Sequence, residues 1–187
     1  MVSISTNEFR NGIALIIDGN LMELQEFQFV KPGKGGAFVR TRLKNMKTGQ
    51  VLEKTFDSRD KVELAHIEKL SWEFLYREGE NFVFMDTESF DQHIVTPATV
   101  QPLLPYLKEN TVCSVKMHDG EIITCSLPDF VILAVVEAEP WIKGSMAQGS
   151  SKPVVLETGA TIQAPVFVNA GEKIRIDTRT GRYVERA

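Results

Sequence analysis

Apolar and polar positions alternate in short runs along almost the whole chain. Ile13 to Asp18, Leu21 to Val30, Ala37 to Lys47 and Val51 to Phe56 succeed one another, separated by Gly19-Asn20, by Lys31 to Gly36 and by Lys47-Thr48-Gly49. Period-two runs bounded by glycine, asparagine and proline predict strands joined by tight turns, and Gly19-Asn20 reads as the first hairpin turn. These strands predict a small antiparallel barrel ending near Leu64. The run Ala65 to Tyr76, rich in aromatic residues, opens a second set: Phe82 to Met85, Ser89 to Val95, Thr111 to Met117 and Glu121 to Ser126, with a short helix expected over Pro102 to Leu107. After Leu127-Pro128 a third set comprises Phe130 to Val136, read as a buried strand, then Val154 to Glu157, Thr161 to Val168, Lys173 to Asp177 and Arg182 to Arg186. A polar loop is expected from Lys143 to Lys152. Short strands at even spacing predict an all-β chain of small barrels, divided at 1–64, 65–127 and 128–187. Segments of about 60 residues lie near the lower limit for an independent core, so they are expected to lean on one another.

One stretch stands outside this pattern. Lys31-Pro32-Gly33-Lys34-Gly35-Gly36 contains no apolar side chain that could pack, yet it lies between Phe27-Gln28-Phe29-Val30 and Ala37-Phe38-Val39. Pro32 fixes one backbone angle, and the three glycines admit positive φ on both sides of Lys34, which predicts a tight hairpin tip with a lysine at its apex. Ordering such a loop costs roughly 1 to 2 kcal/mol of backbone entropy per residue without packing in return, which points to a contact made outside the molecule.

Charge sharpens that reading. The protein carries a formal net charge of −4, but from Lys31 to Lys47 there are six basic residues, Lys31, Lys34, Arg40, Arg42, Lys44 and Lys47, and no Asp or Glu. Arg40, Arg42 and Lys44 alternate with Val39, Thr41 and Leu43, so one face of the strand is cationic and suits a polyanion. The second segment is the opposite, with only Lys69, Arg77, Lys108 and Lys116 against ten acidic residues.

Other chemistry is excluded by what the chain lacks. There is no Gly-x-Ser-x-Gly, no His-Glu-x-x-His, and Gly33-Lys34-Gly35 has neither the spaced first glycine nor the Ser or Thr of a phosphate-binding loop. Asp57, Asp60 and Glu63 read as a solvated face, and the chain reads as a non-enzyme. His66, His93 and His118 are too scattered for a metal site, and Cys113 and Cys125 read as thiols facing each other across a hairpin. With 43% hydrophobic residues, no apolar stretch near the roughly 20 residues that span a bilayer, and no basic-then-apolar start, the expected location is the cytoplasm.

The residues then match a family. Lys31-Pro32-Gly33-Lys34-Gly35 followed by Ala37-Phe38-Val39-Arg40 and Gly49 closely resembles bacterial elongation factor P. The resemblance continues through Phe84-Met85-Asp86-Thr87-Glu88, Gly171-Glu172-Lys173-Ile174 and Asp177-Thr178-Arg179-Thr180-Gly181-Arg182-Tyr183-Val184-Glu185-Arg186. It implies three barrels in an L shape: an N-terminal KOW-like, SH3-like barrel and two OB-folds, similar in size to a transfer RNA. It also implies a monomeric factor that binds both ribosomal subunits between the peptidyl and exit sites, touches peptidyl-tRNA and relieves stalling at consecutive prolines. Lys34 would be extended by a lysyl-type or other amine-bearing group, attached by a lysine-modifying enzyme, with no other cofactor, metal or membrane involved. Arg40, Arg42 and Lys44 would supply backbone contacts to RNA. At the C-terminus Tyr183 either stacks on RNA or fills the strand end of the core, and Arg186 either bridges a phosphate or frays.

The chain departs from the family in one loop. Where the family usually carries Gly-Asp-Thr, this chain reads Trp141-Ile142-Lys143-Gly144-Ser145-Met146-Ala147; Trp141 stands where glycine is common, and Asp129-Phe130 interrupts the usual opening of the last barrel. A diverged paralogue with altered exit-site preference is one reading of these changes. The competing class is a general RNA-binding or RNA-chaperone protein of OB-like barrels, which needs stacking platforms. Phe27, Phe29 and Phe38 offer rings, but they read as barrel core.

Overall fold

The structure, a computed structural model, describes residues 2–33, 35–139 and 151–187. Lys34 and the stretch from Trp141 to Ala147 lie outside the described residues. Among the described residues, sixteen strands form three antiparallel sheets, with one short helix and one 3₁₀ turn between them.

The first sheet contains β1 (Val2–Ser5), β2 (Ala14–Ile17), β3 (Asn20–Val30), β4 (Phe38–Asn45), β5 (Val51–Asp57) and β6 (Lys61–Leu64), in the order β1-β6-β2-β3-β4-β5. The hairpin turn between β2 and β3 is Asp18-Gly19, one residue earlier than the sequence pattern suggests. Ile17 pairs with Asn20, and Asp18 and Gly19 both take positive φ, 51° and 76°, the mirror-image turn that matches strand twist. Asn20 instead opens the strand and donates its side-chain amide to the Asp18 carbonyl at 3.1 Å. The strands β1 and β6, absent from the sequence reading, pair from Val2↔Leu64 to Ser5↔Lys61.

Phe9, Leu15, Ile17, Met22, Leu24, Val39, Leu43, Phe56 and Val62 form the core of this sheet. Phe9 enters it just after the 3₁₀ turn Thr6–Glu8 and meets Phe56 and Phe27 edge-on, with centroids 5.8 and 6.4 Å away. Asp57 and Asp60 have local work: Asp60 accepts from the Asp57 N–H at 2.8 Å, and Asp57 from the Arg59 N–H at 3.0 Å.

The second sheet has the order β11-β10-β7-β8-β9, from β7 (Glu68–Glu78), β8 (Asn81–Asp86), β9 (Gln92–Val95), β10 (Val112–His118) and β11 (Glu121–Ser126). Its core is aromatic. Trp72 stacks on His93 with centroids 4.1 Å apart and donates its indole N–H to Asp86 at 2.9 Å, while Phe74 packs against Phe82 and Phe84. The N–H groups of Glu88 and Ser89, and then Trp72, hold the Asp86 carboxyl below its ordinary pKa against the cost of desolvation. The helix lies at α1 (Pro97–Val100), ahead of the expected Pro102 to Leu107. Thr96-Pro97 is a natural helix start, with proline where its missing N–H costs nothing. Pro102 and Pro105 break the next segment into turns. Cys113 is buried and Cys125 half-buried; both are free thiols, and the Cys113 thiol donates to the Thr111 carbonyl at 3.9 Å.

The third sheet, in the order β14-β13-β12-β15-β16, contains β12 (Phe130–Ala138), β13 (Ser151–Leu156), β14 (Thr161–Pro165), β15 (Lys173–Asp177) and β16 (Arg182–Arg186). β12 is not buried on both faces as its apolar run suggests. Val131, Leu133 and Val135 enter the core, whereas Ile132 and Val136 are 53% and 52% exposed and Phe130 lies under the Arg175 guanidinium at 4.4 Å. Lys152, expected in a polar loop, belongs to β13, where it is buried and donates to the Glu139 carbonyl at 2.6 Å.

By contacts the chain forms two compact units, Met1–Lys69 with Lys116–Thr124, and Leu70–Val115 with Cys125–Ala187. In the first, the Lys47 ammonium meets Glu121 at 3.2 Å, and the His118 Nδ1–H donates to the His66 carbonyl at 2.9 Å.

Candidate functional site

β3 and β4 form the longest hairpin of the first sheet, paired out to Val30↔Phe38. The connection 31–37 leaves from that last pair, and Lys31, Pro32, Gly33, Gly35 and Gly36 are all exposed. Positive φ is used on one side only: Gly35 is at 111°, while Gly33 and Gly36 have ordinary backbone angles. A β-carbon on Gly33 would meet nothing within 4 Å, and one on Gly35 or Gly36 would make only an ordinary contact, 3.8 Å, with Pro32 or Asp57. The described part of the tip therefore packs on nothing. Its glycines serve the course of the chain, not a tight fit.

Below the tip, burial tracks the sequence alternation. Val39, Thr41 and Leu43 are buried, Arg40 and Arg42 exposed, and Lys44 half-buried. The Thr41 hydroxyl is accommodated inside by donating to the Lys54 carbonyl at 2.8 Å. Arg40 and Arg42 line a shallow groove of about 370 Å³ with Glu26, Gln28, Glu53 and Thr55.

Register exposes what the one-dimensional charge count concealed. Arg42 is paired across strands with Glu26 and Glu53, whereas Arg40 lies between Gln28 and Thr55. Among the described residues, Arg40, Arg42, Lys44 and Lys31 form no ion pair within 4 Å, but Lys47 and Lys54 are engaged by Glu121 and Asp18. The cation nearest the tip with neutral neighbours is Arg40, whose guanidinium lies 5.6 Å from the Phe38 ring centre. Phe29 is 44% exposed on the same hairpin and meets Phe27 edge-on at 5.8 Å, so it is not the core residue that the sequence suggests. Phe27 packs partly against the core, and Phe38 is half-buried.

Tyr183 and Arg186 lie on β16 at the other end of the chain. Tyr183 is half-buried against the core of the third sheet, and Arg186 is exposed, with one guanidinium nitrogen 3.7 Å from Glu172. Both converge on Phe167, a residue the sequence reading absorbed into a strand. Tyr183 meets it edge-on at 6.5 Å, and Arg186 lies over it at 5.1 Å, while Phe167 itself is 51% exposed. Only the placement of Phe167 in a turn after β14 reveals it, and no local pattern marks that turn. The Asp177 carboxyl accepts from the Arg179 side chain and from the Arg179 and Thr180 N–H groups, which hold its pKa low against desolvation.

Comparison with known proteins agrees with these features. The sequence model of the elongation factor P KOW-like domain matches residues 5–62, that of the elongation factor P OB domain residues 67–125, and that of the elongation factor P C-terminal domain residues 131–186. The chain is 50% identical over 183 residues to elongation factor P of Natranaerobius thermophilus, covering 98% of this chain and 97% of the relative. It is 50% identical over 184 residues to that of Moorella thermoacetica, covering 98% and 100%. Among solved structures, eukaryotic translation initiation factor 5A from Methanococcus jannaschii has the same fold over 68% of this chain and 92% of its own, with a TM-score of 0.51 at 19% identity. A translation initiation factor eif-5a family protein from Naegleria fowleri aligns over 67% and 98%, with a TM-score of 0.53 at 14% identity. The chain belongs to the elongation factor P family, a family of translation elongation factors and not of enzymes.

Proposed function

We propose that this translation factor binds the ribosome between the peptidyl and exit sites, contacts peptidyl-tRNA, and speeds peptide-bond formation at consecutive prolines through Lys34, lengthened by an amine-bearing group. The observation that supports this reading is the tip: a connection whose described residues are exposed, at the end of the longest hairpin of its sheet, with Arg40 and Arg42 just below it and, among the described residues, in no ion pair within 4 Å. Proline is a constrained, poor peptide donor and acceptor, and holding two reacting ends in attack geometry can remove several kcal/mol, up to about 7 to 11, from a barrier. The ribosome performs the chemistry. This chain supplies a lysine on a loop whose described neighbours carry no folding duty, and cations that meet phosphate without regard to sequence.

Sedimentation with purified ribosomes over a salt series tests the reading. If Arg40, Arg42, Lys44 and one further cation each neutralise a phosphate, log affinity falls with log salt with a slope of about −3. Affinity independent of salt contradicts it. Tighter binding to free single-stranded RNA than to ribosomes supports the RNA-chaperone class, for which Phe29 offers an exposed ring on the first sheet.

The changed residues from Trp141 to Ala147 lie outside the described residues, and we propose from their sequence that exit-site codon preference is altered. Full rescue of polyproline synthesis by this chain, in a strain lacking its own factor, argues against that divergence.

A further inference from the structure

Gly181 belongs to a turn whose glycine is demanded twice. Its φ is +67°, and a β-carbon built on it collides with the hydroxyl of Tyr106, although the ring carbon carrying that hydroxyl stays at an ordinary 3.5 Å. Tyr106 comes from the segment after α1, beside Leu103 and Leu107, which are buried outside the third core. Its own ring is half-buried against that third core. A second turn holds the same segment: the Thr158 hydroxyl donates to the Pro105 carbonyl at 2.6 Å, and Lys108 meets Glu157 at 3.0 Å. Glu157 also accepts from the Ala134 N–H at 2.8 Å. Residues 105–108 are thus gripped by two separate turns of the third barrel. Strand β16 starts at the next residue, Arg182, and Tyr183 packs on the same core as Tyr106.

We propose that Tyr106 and Gly181 are a locking pair that makes the second and third barrels one lever, and so positions the Phe167–Tyr183–Arg186 face. Tyr106 is a positioning residue: it acts through Gly181 and the strand that leaves it. The lock itself rests on packing alone, and only its effect on the ribosome depends on the function proposed above.

The atoms give a sharp test. Tyr106→Phe removes only the colliding hydroxyl, so Gly181→Ala meets a clash beside tyrosine and an ordinary contact beside phenylalanine. Nitrogen-15 relaxation of the full chain reads the lock without any ribosome. The wild type and Tyr106→Phe should show one rotational correlation time across residues 70–115 and 151–187. Gly181→Ala should split it into two shorter ones while the chemical shifts of both barrels persist, and Gly181→Ala with Tyr106→Phe should restore one. On ribosomes, Gly181→Ala should raise the half-saturating concentration for polyproline synthesis about 10-fold, an effect worth about 1.4 kcal/mol, with maximal rate kept. Adding Tyr106→Phe should return it to within about 2-fold, a non-additivity expected only of directly coupled residues. Equal effects of Gly181→Ala in both backgrounds, or a common correlation time in every variant, overturns the lock. A split correlation time with an unchanged half-saturating concentration overturns its positioning role and leaves the proposed ribosome site intact.

Discussion

Two glycine-bearing hairpin turns, the tip 31–36 and the turn 178–181, carry much of the family resemblance, and they use glycine for opposite ends. At the tip, glycine leaves the chain bare: Gly33 has free space around it, and only Gly35 needs a positive φ. At the far turn, glycine lets something in, since Gly181 admits the Tyr106 hydroxyl where any β-carbon would strike it. Asp177 ties the same turn down by accepting from two N–H groups and the Arg179 guanidinium. On the two proposals above, one turn reaches a partner and the other holds the body still. Similar composition can therefore encode protrusion or fixation, and the difference lies in what the rest of the chain brings near.

That contrast can be broken most directly by methyl groups. Gly181→Ala combines a left-handed backbone with overpacking and should lower unfolding free energy by about 2 to 4 kcal/mol. Gly35→Ala meets only the backbone penalty, about 1 kcal/mol, and Gly33→Ala should fall within about 0.5 kcal/mol of the parent. Urea unfolding of the three variants gives the order, and equal losses at Gly33 and Gly181 would erase the distinction.

A smaller effect separates the two arginines below the tip. Arg40→Ala should reduce the salt slope of ribosome binding by about 1. Arg42→Ala should reduce it less, because Glu26 and Glu53 flank Arg42 in register and already oppose its charge. Identical slopes for the two variants would mean that these carboxylates are turned away in the complex.

The smallest expected effect is the response of the locked end to acid. Burial works against a charged Glu157, but the Ala134 N–H and Lys108, with Lys173 further off, together keep its pKa below the ordinary carboxylate range. A carboxyl with a lowered folded-state pKa adds stability that is present above its unfolded value, about 4.3, and is lost as pH falls through the lower folded value. The difference in melting temperature between wild type and Glu157→Gln should be greatest near neutral pH and shrink below about pH 4. A difference that grows toward acid contradicts this assignment.

Much of the fold was legible because period-two alternation is a local signal. Val39-Arg40-Thr41-Arg42-Leu43 announces its two faces, and the structure buries Val39, Thr41 and Leu43. The strands β1 and β6 were not legible, because each is short and acquires its pairing from residues some 60 positions away. The turn falls at Asp18-Gly19, one residue before the Gly19-Asn20 that the pattern suggests, since Gly-Asn and Asp-Gly are both good turn pairs and only the register Ile17↔Asn20 decides between them. The apolar run of β12 concealed an exposed face, because a strand buried on both sides and one that leaves Ile132 and Val136 open, with only Phe130 under the Arg175 guanidinium, have the same local pattern. In the candidate site, the bare tip and its cations could be read along the chain. The acids beside Arg42 and the convergence on Phe167 could not, because both depend on strands that meet only in three dimensions.

On the function proposed above, an amine at position 34 acts on another molecule and contributes nothing to folding. Formation of a bond between two prolines on purified ribosomes, timed with saturating factor taken from its native host and with Lys34→Ala, tests this most directly. Lys34→Ala is expected to lose at least about 10-fold in rate, the equivalent of 1.4 kcal/mol, while its melting temperature and its sedimentation with ribosomes stay close to the parent's. Unchanged bond formation by the variant would contradict this role of Lys34.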